Sequence, residues 1–241
     1  MSAFDASFPT LEHPIAFIGG GNMARSLIAG LVRQGVHGSA IHVAEPVQAL
    51  RQALEQDFGV ATFAGASDAV AHAPLWVLAV KPQVMREVCA GLADAARAQS
   101  PLVVSIAAGI TAGQLDRWLG GGNVVVRAMP NTPALLGAGV TGLFANERVS
   151  ATQRARAEQV LASAGRTVWI EDEALIDAVT AVSGSGPAYV FLLAEAMEAA
   201  ALEQGLPAEA ARTLAAQAGA VEQRLIGLEL ARGVVEGARN L

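Results

Sequence analysis

The sequence offers very little for covalent cross-linking, metal binding or contact with polyanions. Cys89 is its single cysteine, which excludes an intrachain disulfide and fits a reducing compartment, so we expect a cytoplasmic protein. A net charge of −6 without a basic stripe argues against nucleic acid as a partner. The histidines lack the spacing of metal ligands, so we expect no metal site. They are His13, His37, His42 and His72.

Long hydrophobic runs are also missing. The strongest apolar stretches, residues 75–80 and 189–194, are much shorter than the roughly 20 residues that span a bilayer, so we expect no membrane-spanning segment and no membrane partner. The N-terminus lacks the basic start and apolar core of a secretory signal. The chain does contain 53% hydrophobic and only 16% charged residues, which predicts a folded protein with a sizeable core.

Apolar residues follow a pattern that alternates between strands and helices. A run over 15–18 ends in three glycines, and the next apolar residues recur at helical spacing before a second strand at 41–44. The alternation continues to residue 128, which predicts an α/β fold, a Rossmann-type doubly wound parallel sheet covered by helices on both faces. Further strands are expected at 60–63, 75–80, 102–106 and 124–128, and helices at 47–58, 84–98 and 111–119.

The character of the sequence changes near residue 173. Before it, two more strands are predicted at 140–145 and 167–170, around a helix that Ser150 could cap. After it, acidic, alanine-rich helical sequence takes over, with breaks at 183–187 and 205–207. We therefore expect an α/β domain over 1–172 and a small all-helical domain over 173–241.

Residues 19–24 carry a phosphate-binding pattern. They fit G-x-G-x-x-G/A directly between a strand and a helix. Gly19 permits the tight turn, Gly21 lets the backbone approach a pyrophosphate, and the helix N-terminus supplies free N–H groups. We expect a dinucleotide here; the alternative is a glycine-rich turn without a ligand. The predicted contacts are Gly19, Gly20, Gly21, Asn22, Met23 and Ala24.

Glu45 ends the second predicted strand, where an acidic side chain can accept hydrogen bonds from the adenosine ribose of NAD and would repel a 2′-phosphate. Arg51, however, could reach back to such a phosphate, and Glu45 is equally well explained as a solvated loop carboxylate. The choice between NADH and NADPH therefore stays open.

Two later strand ends also carry candidate ligands. Ala79, Val80, Lys81 and Pro82 follow a buried strand, and Lys81, the only lysine, could contact a ribose or a phosphate or could simply be exposed. The segment 129–133 holds two prolines and two polar residues, which suggests a rigid loop over the nicotinamide; a plain turn is the alternative. Pro130 and Asn131 are the candidates in this loop.

Five separated motifs together give the chain a family resemblance. They are residues 17–24, 79–82, 105–109, 129–133 and 183–189. In this order they resemble the pyrroline-5-carboxylate reductases. The resemblance implies reduction of Δ1-pyrroline-5-carboxylate to L-proline, the last step of proline biosynthesis, with NADPH slightly favoured over NADH. It makes 1–172 the dinucleotide-binding domain and 173–241 a dimerisation and substrate domain that forms a homodimer, in some members a ring of dimers.

The same resemblance assigns further site residues. Ala107 and Gly109 join the cofactor contacts, while Ser185, Gly186 and Pro187 orient the substrate at the start of a helix. From the residues alone, Ser185 is a plausible N-cap and Pro187 suits an early helical position, so a capped helix without a catalytic role is the alternative.

The resemblance fails near 218–221, where the family carries a Ser-Pro-Gly-Gly-Thr-Thr loop that holds the substrate carboxylate. The tail from about residue 228 again resembles the family's last helix, so about thirty residues, the length of a helix and a loop, are absent between the two parts. Either the sequence lacks a segment that the full protein carries, or a deletion has removed it and should cripple substrate binding. The resemblance of both flanks favours the first explanation.

Two other functions are alternatives to a pyrroline-5-carboxylate reductase. A β-hydroxyacid dehydrogenase-type or related imine oxidoreductase needs a catalytic lysine in the helical domain, and no lysine follows Lys81. A non-catalytic dinucleotide-binding protein is conceivable because the substrate loop is absent.

Overall fold

The computed structural model describes residues 14–226, in which eight strands form a single sheet. The strands are β1 Ile15–Ile18, β2 Ile41–Ala44, β3 Ala61–Phe63, β4 Leu75–Leu78, β5 Leu102–Ser105, β6 Val124–Met129, β7 Gly139–Ala145 and β8 Gly165–Trp169. The helices are α1 Asn22–Arg33, α2 Gln48–Phe58, α3 Ala66–Ala69, α4 Pro82–Gln99, α5 Ala112–Trp118, α6 Ala151–Ala162, α7 Ile176–Val179, α8 Gly186–Glu203 and α9 Ala208–Ile226.

The sheet has the strand order 3-2-1-4-5-6-7-8, and the first six strands are parallel. Ile15 of β1 pairs with Ile41 on one side and with Leu75 on the other, so the direction of winding reverses between β1 and β4. The predicted Rossmann-type doubly wound sheet is therefore confirmed. The carboxyl ends of the parallel strands all lie along one edge of the sheet, which is where such sheets bind ligands.

Strand β7 departs from the parallel pattern because it runs antiparallel to β6. The connection between them, residues 130–138, contains only a short 3₁₀ turn over Thr132–Leu136. A parallel crossover needs about a dozen residues or more, so this connection can only return the chain in the opposite direction. β8 then pairs with β7 in parallel and completes the sheet.

Apolar side chains from both faces of the sheet form two separate cores. In β1, Ile15 and Phe17 belong to the core that also contains residues of α1 and α6, whereas Ala16 and Ile18 belong to the core that contains residues of α4 and α5. Because both faces are covered, the strands read as continuous apolar runs, which is why they were predictable. Ser150 caps α6 as expected, with its hydroxyl accepting the N–H of Gln153.

Cys89 lies fully buried on α4, as expected for a small core residue. Burial raises the pKa of its thiol to about 12, so the side chain stays neutral and unreactive at physiological pH. No group of histidine, cysteine, aspartate and glutamate side chains with metal-binding geometry occurs within residues 14–226. His13 lies outside the described residues.

The chain divides into two compact units, the first ending at Gly184 and the second starting at Ser185. Helical structure begins at Glu173, where the strand signal was expected to end. The predicted domain boundary at this residue nevertheless stays a prediction, because compactness places the division twelve residues later in the chain, at the start of α8.

The predicted helix break at 183–187 falls where the α-helix is interrupted. A π-helical turn over Thr180–Gly184 and the turn residue Ser185 separate α7 from α8, so the interruption is a change of helix type rather than a loop. The hydroxyls of Thr180 and Ser183 hydrogen-bond there to carbonyls four residues earlier. The break predicted at 205–207 is confirmed by the connection between α8 and α9.

The helix from Glu173 to Glu203 is long and apolar enough to cross a membrane by length and composition. The sequence analysis did not predict this long apolar helix, because it considered the short run over 189–194 and not the alanines on either side of that run. Within α8 no side chain is buried, and Tyr189, Phe191 and Leu192 are each more than 60% exposed. An apolar surface of this kind requires a cover, which either a bilayer or another protein surface can provide.

Two helical glycines provide a test of the packing in the first unit. A Cβ atom on Gly30 of α1 would lie 2.1 Å from the carbonyl oxygen of Ser163, whereas one on Gly91 of α4 would meet no atom within 4 Å. We expect Gly30→Ala to lower the free energy of unfolding by about 1–3 kcal/mol. Gly91→Ala should raise it by about 0.4–1 kcal/mol. Urea unfolding measures both values, and equal shifts would contradict the close contact at Gly30.

Candidate dinucleotide-binding site

A cavity of about 1080 Å³ opens at the carboxyl edge of the sheet, where the winding direction reverses. It is lined by residues that follow β1, β2 and β4 and by one side of α4. Seven predicted cofactor contacts line it, namely Gly19, Gly20, Gly21, Glu45, Ala79, Val80 and Lys81. The other predicted contacts lie outside its lining, and they are Asn22, Met23, Ala24, Pro82, Ala107, Gly109, Pro130 and Asn131.

The first two glycines of the turn lie in crowded surroundings. Gly19 has a φ of +106°, donates its N–H to the carbonyl of Ala44 at 2.8 Å, and would place a Cβ 2.7 Å from the carbonyl oxygen of Ala79. A Cβ on Gly20 would lie 2.7 Å from Cδ1 of Leu54, the end of a side chain. Glycine is therefore required at Gly19 by conformation and by the neighbouring backbone, whereas a side chain at Gly20 would have to displace that of Leu54.

The third glycine is the opposite case, because it faces open space. Gly21 is the N-cap residue of α1, has an ordinary φ of −70°, and would place a Cβ with no atom within 4 Å. No side chain caps the first N–H groups of α1. Because Gly21 has no side chain and the first N–H groups of α1 have no side-chain cap, a pyrophosphate can approach these N–H groups closely. The turn therefore fits a dinucleotide.

Glu45 is held rigidly beside this turn. It is only 7% exposed, its Oε2 accepts the N–H of Gly20 at 3.1 Å, and its Oε1 accepts the N–H of Val47 at 3.0 Å. The interpretation as a solvated loop carboxylate therefore does not match the structure. Arg51 donates from Nη1 to the carbonyls of Glu45 at 2.7 Å and Pro46 at 2.9 Å, so its guanidinium is attached to the same loop.

Lys81 lies on the other side of the cavity as the exposed N-cap residue of α4, with Pro82 as the first helical residue. It is the one cation among the described residues that line the cavity, and Glu45 and Glu87 are the two anions. This position suits contact with a ribose or a phosphate that extends from the glycine turn. The structure thus leaves Lys81 available as a ligand but gives it no bound partner of its own.

Two of the predicted contacts after β5 and β6, Ala107 and Asn131, already have hydrogen-bond partners within the protein. Asn131 is 8% exposed, and its side chain is already used: Oδ1 accepts the N–H of Val140 at 2.9 Å and Nδ2 donates to the carbonyl of Ser183 at 3.0 Å. Ala107 is buried and donates its N–H to Ser105 Oγ at 3.3 Å. Asn131 therefore acts as a clamp between the β6–β7 connection and the π-helical turn, and its side chain is not free for a ligand.

Arg127 is a structural residue that the sequence analysis missed. It lies buried at the end of β6, 3.5 Å from Glu173 and 3.4 Å from Asp177. Glu173 also accepts the N–H of Ala112 at 2.6 Å, at the start of α5. A buried guanidinium needs such partners, and an arginine inside an otherwise apolar strand was the available signal.

Ser185 does not cap α8. It occupies the N-cap position, but its backbone is helical (φ −91°, ψ −21°) and its hydroxyl makes no capping hydrogen bond. Pro187 lies in the first turn as expected, and Gly186 has open space where a side chain would be. Ser185 is therefore not a side-chain cap of α8, and the substrate-orienting role of this motif stays a prediction.

These features define the chain as a Rossmann-type dinucleotide-binding protein with an appended helical unit. The family model described as NADP oxidoreductase, coenzyme F420-dependent, matches residues 14–109, and the model described as pyrroline-5-carboxylate reductase dimerisation matches residues 173–232. A pyrroline-5-carboxylate reductase of Pseudomonas aeruginosa is 51% identical over 203 residues, which cover 84% of this chain and 74% of the relative. The chain belongs to the pyrroline-5-carboxylate reductase family.

Solved structures agree with this assignment. A pyrroline-5-carboxylate reductase from Coxiella burnetii is 39% identical with a TM-score of 0.85, over 90% of this chain and 81% of that one. A pyrroline carboxylate reductase from Plasmodium falciparum, solved with NADP bound, is 25% identical with a TM-score of 0.80, over 92% and 81% of the two chains. The family expected from the sequence motifs is therefore confirmed.

The open position at Gly21 generates a prediction about cofactor binding. Gly21→Val adds a branched side chain where nothing among the described residues obstructs it, so the variant should fold, with the free energy of unfolding lowered by about 1 kcal/mol because valine is a poorer N-cap residue than glycine. The same side chain would fill the approach to the α1 amides, so dinucleotide affinity should fall at least about tenfold. Fluorescence titration with NADH measures this, and unchanged affinity in the folded variant would show that the turn does not bind the pyrophosphate.

Proposed function

We propose that this protein reduces Δ1-pyrroline-5-carboxylate to L-proline with NADH or NADPH, in the last step of proline biosynthesis. The observation that carries the proposal is the glycine turn of Gly19, Gly20 and Gly21 beside the cavity, in a chain that belongs to the reductase family. When bound, the reduced nicotinamide supplies a hydride to the carbon of the C=N bond, while the nitrogen takes up a proton. The protein's own residues bind and orient the two reactants.

The proposed division of labour places the dinucleotide on the first unit. The α1 amides after Gly21 hold the pyrophosphate, Glu45 and Lys81 contact the riboses, and the backbone after β5 and β6 adjoins the nicotinamide. Ser185, Gly186 and Pro187 orient the substrate at the first turn of α8. The Ser185 hydroxyl and the N–H of Gly186 are the donors, because Pro187 has no N–H and the amides of Ala188 and Tyr189 are already bonded to the carbonyl of Ser185. Two observations support this role: Gly186 faces open space, and the Ser185 hydroxyl is not used in a capping hydrogen bond.

The absent substrate loop bears directly on activity. Residues 218–221, where the family pattern is interrupted, lie inside the continuous helix α9. The tail from residue 228 lies outside the described residues. We therefore propose that the chain as sequenced binds the dinucleotide. It should bind the substrate carboxylate weakly, so its KM for the substrate should be higher than that of a chain with the loop.

The direct test is an assay with Δ1-pyrroline-5-carboxylate and either reduced nicotinamide dinucleotide, on protein whose length is verified by intact mass spectrometry. Oxidation of the dinucleotide with formation of proline would support the proposal. Binding of the dinucleotide without any turnover at saturating substrate would instead favour the non-catalytic dinucleotide-binding protein.

We also infer that a second copy of this chain covers the helical unit, in a cytoplasmic protein. α8 packs on α9, where Ala211 and Ala215 are buried, yet α8 itself buries no side chain. Residues 173–232 match a dimerisation domain, which supports another protein surface, rather than a bilayer, as the cover of this apolar surface. A ring of dimers is the larger assembly that the family resemblance suggests.

Self-association gives a prediction that needs no variant. The exposed apolar surface of α8, with Phe191 at 64% and Leu192 at 66% exposure, should make the protein at least dimeric without detergent at micromolar concentration. Light scattering after gel filtration measures the mass. A monomeric mass would contradict the proposed dimer, and solubility only in detergent would favour a membrane as the cover.

The role of Ser185, structural or substrate-orienting, can be determined by measuring stability and kinetics on one variant. Because its hydroxyl makes no capping bond, Ser185→Ala should change the melting temperature very little, well below the roughly 1 kcal/mol that loss of a working cap costs. If the hydroxyl orients substrate, kcat/KM should fall at unchanged dinucleotide affinity. Ser150→Ala is the matched control, because Ser150 does cap α6: it should lower stability and leave kcat/KM unchanged.

A further inference from the structure

We propose that Glu45 makes this site select NADH over NADPH, an inference that rests on the dinucleotide binding in the proposed function. The two cofactors differ only by the phosphate on the 2′-oxygen of the adenosine ribose, which carries close to two negative charges at neutral pH. A discriminating residue must therefore act through charge and hydrogen bonding at this one position.

The carboxylate of Glu45 cannot easily move away from a phosphate. Both of its oxygens are attached to backbone N–H groups, those of Gly20 and Val47, and the side chain is 7% exposed. The absent side chain of Gly20 leaves the space that Glu45 and Leu54 enclose. The negative charge is thus fixed beside the glycine turn at the end of β2, where a Rossmann-type sheet binds the adenosine ribose.

The same geometry suits a ribose with a free hydroxyl. An ionised carboxylate has about four lone-pair positions, and the two backbone amides use two of them. The remaining positions can accept hydrogen bonds from ribose hydroxyls without breaking any contact within the protein. The side chain is therefore already arranged as an acceptor, so binding NADH requires little reorganisation.

Positive charge that could offset this carboxylate is scarce around the cavity. Of the described lining residues, only Lys81 is a cation, and it follows β4 rather than β2, while Glu87 adds a second negative charge. Arg51 is near Glu45, but its Nη1 is bound to the carbonyls of Glu45 and Pro46. These two bonds use only Nη1 and hold the guanidinium on the loop that follows β2, so Arg51 is the residue that would counteract Glu45 if its other N–H groups reached the 2′-phosphate.

This preference differs from what the comparisons alone would suggest. The family model over residues 14–109 is described as an NADP oxidoreductase, and the Plasmodium falciparum relative was solved with NADP bound. The inference concerns the charge on this chain's own β2 end, and it holds for the full chain whether or not the substrate loop is present.

The test compares dissociation constants of NADH and NADPH by nicotinamide fluorescence for the wild type, Glu45→Gln and Glu87→Gln. The wild type should bind NADH at least about tenfold more tightly than NADPH. Glu45→Gln should remove most of this difference, mainly by strengthening NADPH. Glu87→Gln removes the same charge from the same cavity away from the β2 end, so the preference should remain.

The opposing results are equally specific. A wild type that prefers NADPH would overturn the inference, and loss of that preference in Arg51→Ala would identify Arg51 as a phosphate ligand instead. Equal effects of Glu45→Gln and Glu87→Gln would overturn it as well, because general charge would then be the cause. If Glu45→Gln fails to fold, the ratio of the NADPH and NADH dissociation constants is compared between the wild type and Glu45→Ala, and an unchanged ratio would overturn the inference. Failure to bind either cofactor would overturn the proposed function along with this inference.

Discussion

The close approach of the β1–α1 turn to the neighbouring strand ends is the constraint on which the candidate site depends. Gly19 faces the carbonyl of Ala79 so closely that no side chain fits between them, and Gly20 packs beside the side chains of Leu54 and Glu45. Because these contacts join the ends of β1, β2 and β4, one turn fixes three strand ends and the acidic side chain among them. Gly21 alone is left open, which gives the ligand its approach to the α1 amides.

A second set of contacts holds the far side of the same sheet edge through polar side chains. Arg127 at the end of β6 is paired with Glu173 and Asp177, and Asn131 connects the next loop to the carbonyl of Ser183. Each buried polar group has a partner here, so their burial carries no penalty of unpaired charge. The start of the helical segment is thereby attached to the sheet by directional bonds, in contrast to the apolar packing around β1.

The sequence predicts those parts of the fold that depend on local pattern. Strands buried on both faces read as apolar runs, and Gly19, Gly20 and Gly21 lie where strand and helix periodicities meet, so the sheet and half of the site could be located. Hydrophobic periodicity gives neither the direction of β7, which follows from the short connection over 130–138, nor the π-helical turn. It also does not give pairs of distant groups, such as Asn131 with Ser183.

Glu45 illustrates the same limit within the site. Its position at a strand end was predictable, but a free carboxylate and a carboxylate fixed by two amides look identical in the sequence. The hydrogen bonds to Gly20 and Val47 distinguish them, because they determine whether the charge can turn away from a ligand. A residue that can move makes a weak selector, whereas a fixed charge imposes its full electrostatic effect.

The two units also differ in what their folding requires. The first unit encloses two apolar cores, one on each face of the sheet. In the second unit, Ala211 and Ala215 are buried while α8 buries nothing. In the proposed dimer, part of the stability of this unit comes from association, and stability gained in this way rises with protein concentration. The proposed dinucleotide contacts lie on the first unit, so dinucleotide affinity should be much less sensitive to dilution than the stability of the helical unit.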